Sequence, residues 1–146
     1  MIPDFDSDGL LPPGLHWATW QELSDRFGTN AHRILLLSGM RQALESLKAA
    51  GCNAVYIDGS FVTSKDTPGD FDACWDPTNV DPYRLDPVLL KFEPGRKIQK
   101  AKYGGELFIS TMRNGNPGPA MLDFFQNDKN TGRRKGIVAI DLRRFA

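Results

Sequence analysis

The segment YIDGSFVTSKDTPGDFDACWD, residues 56–76, contains two apolar runs of strand-forming residues separated by a polar loop. The pair Gly59-Ser60 follows the first run, and Asp70 and Asp72 interrupt the second. A buried strand rarely carries carboxylates at alternate positions, because burial of an unpaired charge is unfavourable. The two aspartates therefore need a partner, and the chemistry of that partner bears on function.

Asp70 and Asp72 point to the same face of a strand, about 7 Å apart, because side chains alternate along it. Two carboxylates at this spacing repel each other unless a positive charge lies between them. Mg²⁺ prefers hard oxygen ligands and keeps positions for water and phosphate oxygens. Gly59 lets the backbone approach a ligand, and the Ser60 hydroxyl with nearby N–H groups can bind phosphate. Together these features predict a site for a metal–nucleoside triphosphate complex.

A plainer explanation of Asp70 and Asp72 is a solvent-exposed strand face, or a turn after Pro68-Gly69. We favour metal binding, because the Gly-Ser pair and the two aspartates occur together between two strand-like runs. Either feature alone is common in proteins.

This pattern resembles the signature of the polymerase-beta-like nucleotidyltransferase superfamily: an apolar residue, G-S, a spacer of about ten residues, and D-x-D. Here Gly59-Ser60 and Asp70-Phe71-Asp72 are separated by nine residues. The resemblance implies a nucleotidyltransferase-like fold and two metal ions, Mg²⁺ or Mn²⁺, one of them carried by an NTP such as ATP.

The superfamily usually has a third carboxylate on a later strand, and Asp123 in the apolar segment MLDFFQ fits that place. A strand can equally carry one acid on its solvent face, so Asp123 is less specific than the D-x-D pair. Lys65, in the loop, would neutralise phosphate, where related transferases often carry an arginine. The resemblance thus implies catalytic and metal-binding roles for Asp70, Asp72 and Asp123, and nucleotide binding by Gly59, Ser60 and Lys65.

The whole chain is also similar to a small bacterial family without an assigned function. The shared motifs are GLLPPGxHxATW, YIDGSFVTxKxxPGDFDxCWD, AKYGGELF and KGIVAIDL, and they extend over nearly the full length. This second resemblance names relatives but supplies no activity.

The superfamily resemblance implies an enzyme that moves a nucleoside monophosphate from an NTP to a hydroxyl group of RNA, such as a tRNA end, or of a protein. Minimal members often occur in bacterial toxin–antitoxin or phage-defence pairs, which would supply a partner protein. The alternatives are a non-catalytic module that binds a nucleotide or a partner on the same fold, and a purely structural or interaction protein.

The order of elements predicts an α/β (α+β) fold with a small mixed sheet packed on helices. Thr19 and Asn30 are expected to cap two helices, the second with an apolar face. That face is expected to contain Ile34, Leu37, Met40, Leu44 and Leu47. The 146 residues are expected to form a single domain, 1–146, that begins with an extended lead-in over residues 1–18.

The composition is that of a globular protein, with 40% hydrophobic and 25% charged residues. The 18 basic and 18 acidic residues balance, which argues against a protein that simply coats nucleic acid. Cys52 and Cys74 form no CxxC pair, so a structural zinc site is not expected, and both thiols are expected to be reduced. No segment has the apolar length to span a membrane, and we expect a cytoplasmic protein.

Overall fold

A computed structural model describes residues 1–145, which contain five strands and four α-helices. The strands are β1 (Gly14–Ala18), β2 (Ala54–Asp58), β3 (Phe71–Trp75), β4 (Gly105–Ile109) and β5 (Gly136–Asp141). The helices are α1 (Trp20–Phe27), α2 (Ala31–Ala49), α3 (Lys97–Tyr103) and α4 (Met121–Phe124). Single turns of 3₁₀-helix lie at Ser60–Val62, Pro87–Leu90, Pro94–Arg96 and Leu142–Arg144. The expected α+β class is confirmed.

The strands form one mixed sheet in the order β1-β5-β2-β3-β4. The central strand β2 runs antiparallel to both of its neighbours, β3 and β5. The two edge strands, β1 and β4, are each parallel to the strand beside them. The two strands predicted from residues 56–76 are therefore paired directly, and the polar loop connects them.

Part of the expected N-terminal lead-in is a strand of the sheet. Residues 14–18 form β1, which pairs with β5 from Gly14 opposite Gly136 to Ala18 opposite Ile140. Leu11, just before this strand, is buried. The sequence did not predict the strand, because its partner lies more than a hundred residues away and a parallel pair has no connecting turn to reveal it.

The helix caps are as predicted, and the inward face of α2 is as predicted except at Ile34, since Leu37, Met40, Leu44 and Leu47 are buried. Thr19 forms a capping box with Glu22, and the Asn30 side chain accepts from the backbone N–H of Arg33. Ile34 is 57% exposed, because at 100° per residue it lies about 120° from the buried stripe centred near Met40. The inward position in the first turn belongs to Arg33.

The two faces of the sheet differ in character. The larger apolar core lies between α1, α2 and the face that carries Val55 and Ile57. The opposite face is covered in part by a smaller cluster around Cys74 and Phe125. Within residues 1–145, no helix combines the length and the apolar character that crossing a membrane requires.

Candidate functional site

Four carboxylates lie at one end of the sheet, on the face opposite the main core. Asp72 on β3 pairs with Asp58 across the antiparallel ladder and with Glu106 across the parallel one. Side chains of residues paired in this way point to the same face. Asp70 precedes β3 by one residue and shares that face with Asp72. We call Asp58, Asp70, Asp72 and Glu106 the acid cluster.

Two cations from the segment before β4 neutralise one side of the acid cluster. The Nζ atom of Lys100 lies 2.9 Å from Oε1 of Glu106 and 3.7 Å from Oδ2 of Asp70. The Nη2 atom of Arg96 lies 3.3 Å from Oε2 of Glu106. Both oxygens of Glu106 are thus held by positive charges of the chain itself.

A third cation reaches the buried member of the acid cluster. Asp58 is 5% exposed, and its Oδ1 atom lies 2.9 Å from Nζ of Lys135. This contact is an ion pair without hydrogen-bond geometry. Burial raises the pKa of Asp58, and the charge of Lys135 acts against that rise.

Asp72 is the member of the acid cluster that lacks a partner. Among residues 1–145, no group forms a hydrogen bond or an ion pair with its carboxylate. Burial, followed by the negative charges of Asp70, Asp58 and Glu106, raises the pKa of Asp72 to about 7, and Lys135 offsets only part of this. The carboxylate at the centre of the cluster is therefore the one that gains most from an added positive charge.

Gly59 holds the backbone against this carboxylate. Its φ angle is 82°, in the region that favours glycine. A Cβ atom at this position would lie 2.5 Å from Oδ2 of Asp72. The glycine of the Gly-Ser pair is thus required both by the backbone conformation and by the close approach to the acid cluster.

We expect Gly59→Ala to destabilise the fold by about 2–3 kcal/mol, because the added methyl group combines a strained φ with a clash against Asp72. Gly69→Ala is the matched control in the same loop, since a Cβ there meets nothing within 4 Å. Urea unfolding of both variants measures the difference. Equal midpoints for the two variants would contradict the steric explanation.

The acid cluster opens into a cleft of about 930 Å³. Beyond the carboxylates, its walls are the β2–β3 loop, a group of aromatic side chains, and cations that include Arg96 and Lys135. Five of the six predicted site residues line this cleft, namely Gly59, Ser60, Lys65, Asp70 and Asp72. The structure therefore places the Gly-Ser pair and the two aspartates of the sequence pattern in the same cleft.

Asp123 is the predicted site residue that the structure places elsewhere. It lies in α4, not on a strand, and its side chain is 59% exposed and 3.0 Å from Nη1 of Arg134. Among residues 1–145, those that line the cleft include Glu106 and exclude Asp123. Sequence reasoning missed Glu106, although its place in GELF, between apolar residues after Gly104-Gly105, has the pattern expected of an acid on a strand.

The β2–β3 loop is fixed from behind by a buried arginine. Arg33 is 3% exposed and donates from Nη1 to the carbonyl oxygen of Phe61 at 2.7 Å and from Nη2 to that of Thr63 at 3.0 Å. It also donates to the carbonyl oxygens of Lys65 and Phe27. One guanidinium thus determines the path of the loop that carries the Gly-Ser pair and Lys65.

The acid cluster suits a divalent metal ion in its donor chemistry. Its carboxylate oxygens are the hard ligands that Mg²⁺ prefers, and Asp72 has no competing partner. Within residues 1–145, no group of three or more His, Cys, Asp or Glu side chains is arranged to hold a metal. Asp58, Asp70 and Glu106 lie instead in ion pairs with cations of the chain.

Comparison with known proteins gives one match. The model of a family of unknown function, DUF6932, matches residues 3–141. Searches of the curated proteins and of the solved structures found no match.

Proposed function

The chain belongs to the DUF6932 family of unknown function, and we propose that its cleft is the active site of a metal-dependent nucleotidyltransferase. The enzyme would move a nucleoside monophosphate from an NTP to a hydroxyl group. The main support is the unpartnered Asp72, which lies in a carboxylate cluster and against the Gly-Ser turn, at the end of a cleft large enough for a nucleotide.

In this proposal Asp70 and Asp72 hold Mg²⁺ or Mn²⁺, and Glu106 takes the place that the resemblance gave to Asp123. Bound divalent ions would supply positive charge to both the attacking and the leaving oxygen. Lys100, which pairs with both Asp70 and Glu106, would be free to bind a phosphate oxygen if those carboxylates held a divalent cation instead.

The reaction forms a bond between the acceptor oxygen and the α-phosphorus and breaks the bond from that phosphorus to the α–β bridging oxygen. Pyrophosphate leaves, and a carboxylate of the acid cluster takes up the proton of the hydroxyl group. The side chains contribute by positioning the reactants and by stabilising charge. The acceptor in this proposal is an RNA, such as a tRNA end, or a protein side chain. The enzyme would act as one member of a toxin–antitoxin or phage-defence pair.

A second candidate is a non-catalytic module that binds a nucleotide or a partner protein. The ion pairs of Lys100 and Arg96 with Glu106 favour it, because they neutralise a carboxylate without any metal. Such a module would bind an NTP without transferring any part of it.

We expect magnesium-dependent binding of an NTP to the wild-type protein, measured by isothermal titration calorimetry. Glu106→Gln should weaken that binding at least tenfold, because it removes one carboxylate of the proposed ligand set. Asp123→Asn is the matched control and should bind within about twofold of wild type, since Asp123 is exposed and does not line the cleft.

Transfer itself is tested with NTPs radiolabelled at either the α- or the γ-phosphate, incubated with bacterial RNA and protein. Label from the α-phosphate should appear on the acceptor, and label from the γ-phosphate should not. Binding without transfer of either label would favour the non-catalytic module. A protein that binds no NTP at millimolar concentration with magnesium would contradict the proposed function.

A further inference from the structure

An aromatic wall adjoins the acid cluster in the same cleft. Phe108 follows Glu106 by two residues on β4 and shares its face of the sheet. The ring of Phe92 is nearly parallel to that of Phe108, with an angle of 9° and a centroid distance of 6.4 Å. Both rings line the cleft and are half-buried.

Arg96 lies against this wall in a sparsely populated backbone conformation. Its φ and ψ angles are 46° and 44°, which few residues other than glycine adopt. Its guanidinium carbon lies 5.1 Å from the centroid of the Phe108 ring, and its Nη2 atom pairs with Glu106. Its Nε atom is buried and has no hydrogen-bond acceptor among the described residues. Arg96 thus contacts both the aromatic wall and the acid cluster, and it keeps one donor that the described residues do not use.

Phe92 is not needed for either apolar core. Neither the main cluster nor the smaller cluster includes it, whereas Phe108 packs against the smaller one. Its aromatic contact is with Phe108. A large ring that lines a cleft and takes no part in a core is available to a ligand.

We propose that Phe92 and Phe108, with Arg96, form the subsite for the base of the nucleotide whose phosphates lie at the acid cluster. This inference rests on the proposed function. Aromatic faces stack on any base, and an arginine N–H can donate to a ring nitrogen or carbonyl oxygen of that base. The acids and the rings lie about two strand residues apart, so one nucleotide can reach both.

The test compares ATP with inorganic tripolyphosphate, each titrated with magnesium into the wild type, Phe92→Ala and Tyr83→Ala. Wild-type protein should bind ATP more tightly than tripolyphosphate. Phe92→Ala should lose about tenfold in ATP affinity and keep its affinity for tripolyphosphate, because only ATP has a base to stack. Tyr83→Ala, at a 97% exposed aromatic outside the cleft, should change neither affinity.

Phe92→Tyr keeps the ring and should retain ATP affinity, which separates stacking from a general disturbance of the loop. Equal losses of ATP and tripolyphosphate affinity in Phe92→Ala, or no loss of either, would overturn the inference. Wild-type protein that binds tripolyphosphate as tightly as ATP would also overturn it, while leaving the proposed metal–phosphate site standing. Absence of magnesium-dependent binding of both ligands would overturn the proposed function together with this subsite.

Discussion

Replacing Asp72 with asparagine is expected to stabilise the fold at pH 8 and to abolish magnesium-dependent nucleotide binding. Burial and three neighbouring carboxylates raise the pKa of Asp72 to about 7, so its ionised form is less favourable in the folded chain than in the unfolded one. Its contribution to stability is therefore fully present below about pH 4 and is lost as the pH rises through 7. Asparagine stays neutral and avoids that loss.

The rise in the pKa of Asp72 corresponds to at most about 4 kcal/mol, and partial solvent exposure reduces this to about 2 kcal/mol. For a chain of this length we expect a gain of about 5 °C in melting temperature at pH 8 and little change at pH 4. Differential scanning calorimetry at both pH values, without magnesium, measures the effect. Asp123→Asn is the control and should change stability little at either pH, because that side chain is exposed.

Opposite effects on stability and on binding would mark Asp72 as a residue kept for function, since a structural residue loses stability when it is replaced. If Asp72→Asn destabilises the protein at pH 8, Asp72 has a favourable partner and the electrostatic description of the acid cluster is wrong. If Asp72→Asn retains nucleotide affinity, the metal–nucleotide site does not depend on this carboxylate.

Local sequence patterns predicted the fold class and the elements α1, α2, β2 and β3. The capping residues Thr19 and Asn30 and the strand pair around the Gly-Ser turn were correct, because each depends on residues close in the chain. The strand at residues 14–18 was missed, because it pairs with β5 at the other end of the chain. Ile34 was wrongly placed in the buried face, because its inward position is taken by a charged residue that pattern reasoning assigns to solvent.

The sequence likewise predicted only part of the candidate site. Asp70 and Asp72 were found because their spacing shows that they share a face, but the sequence does not show which strand lies beside β3. The parallel partner of β3 is β4, which places Glu106 next to Asp72 and leaves Asp123 outside the cleft. The cations that pair with the acid cluster also come from distant segments, so only the assembled sheet reveals them.

Arg33→Met is expected to destabilise the protein by about 3–5 kcal/mol, the largest loss that we predict. The substitution keeps much of the apolar volume but removes the donors to three carbonyl oxygens of the β2–β3 loop and to that of Phe27 at the end of α1. The carbonyl oxygens of Phe61 and Phe27 are buried, and leaving them without donors costs much more than the net gain of the hydrogen bonds themselves. Urea unfolding measures the loss, and hydrogen exchange should show faster exchange of amides in residues 61–66.

Arg26→Met is the matched control. Arg26 also donates to two carbonyl oxygens, those of Ile2 and Pro3, but it is only partly buried and its acceptors lie in the N-terminal segment. Its loss should cost about 1 kcal/mol and leave exchange in the β2–β3 loop unchanged.

The loss of stability in Arg33→Lys should fall between those of Arg33→Met and Arg26→Met, because a single ammonium group cannot reach carbonyl oxygens spread along five loop residues. An Arg33→Met variant as stable as Arg26→Met would contradict the anchoring role, and the order of the loop would then depend on its other contacts with α2, such as the one from Asn30 to Asp66.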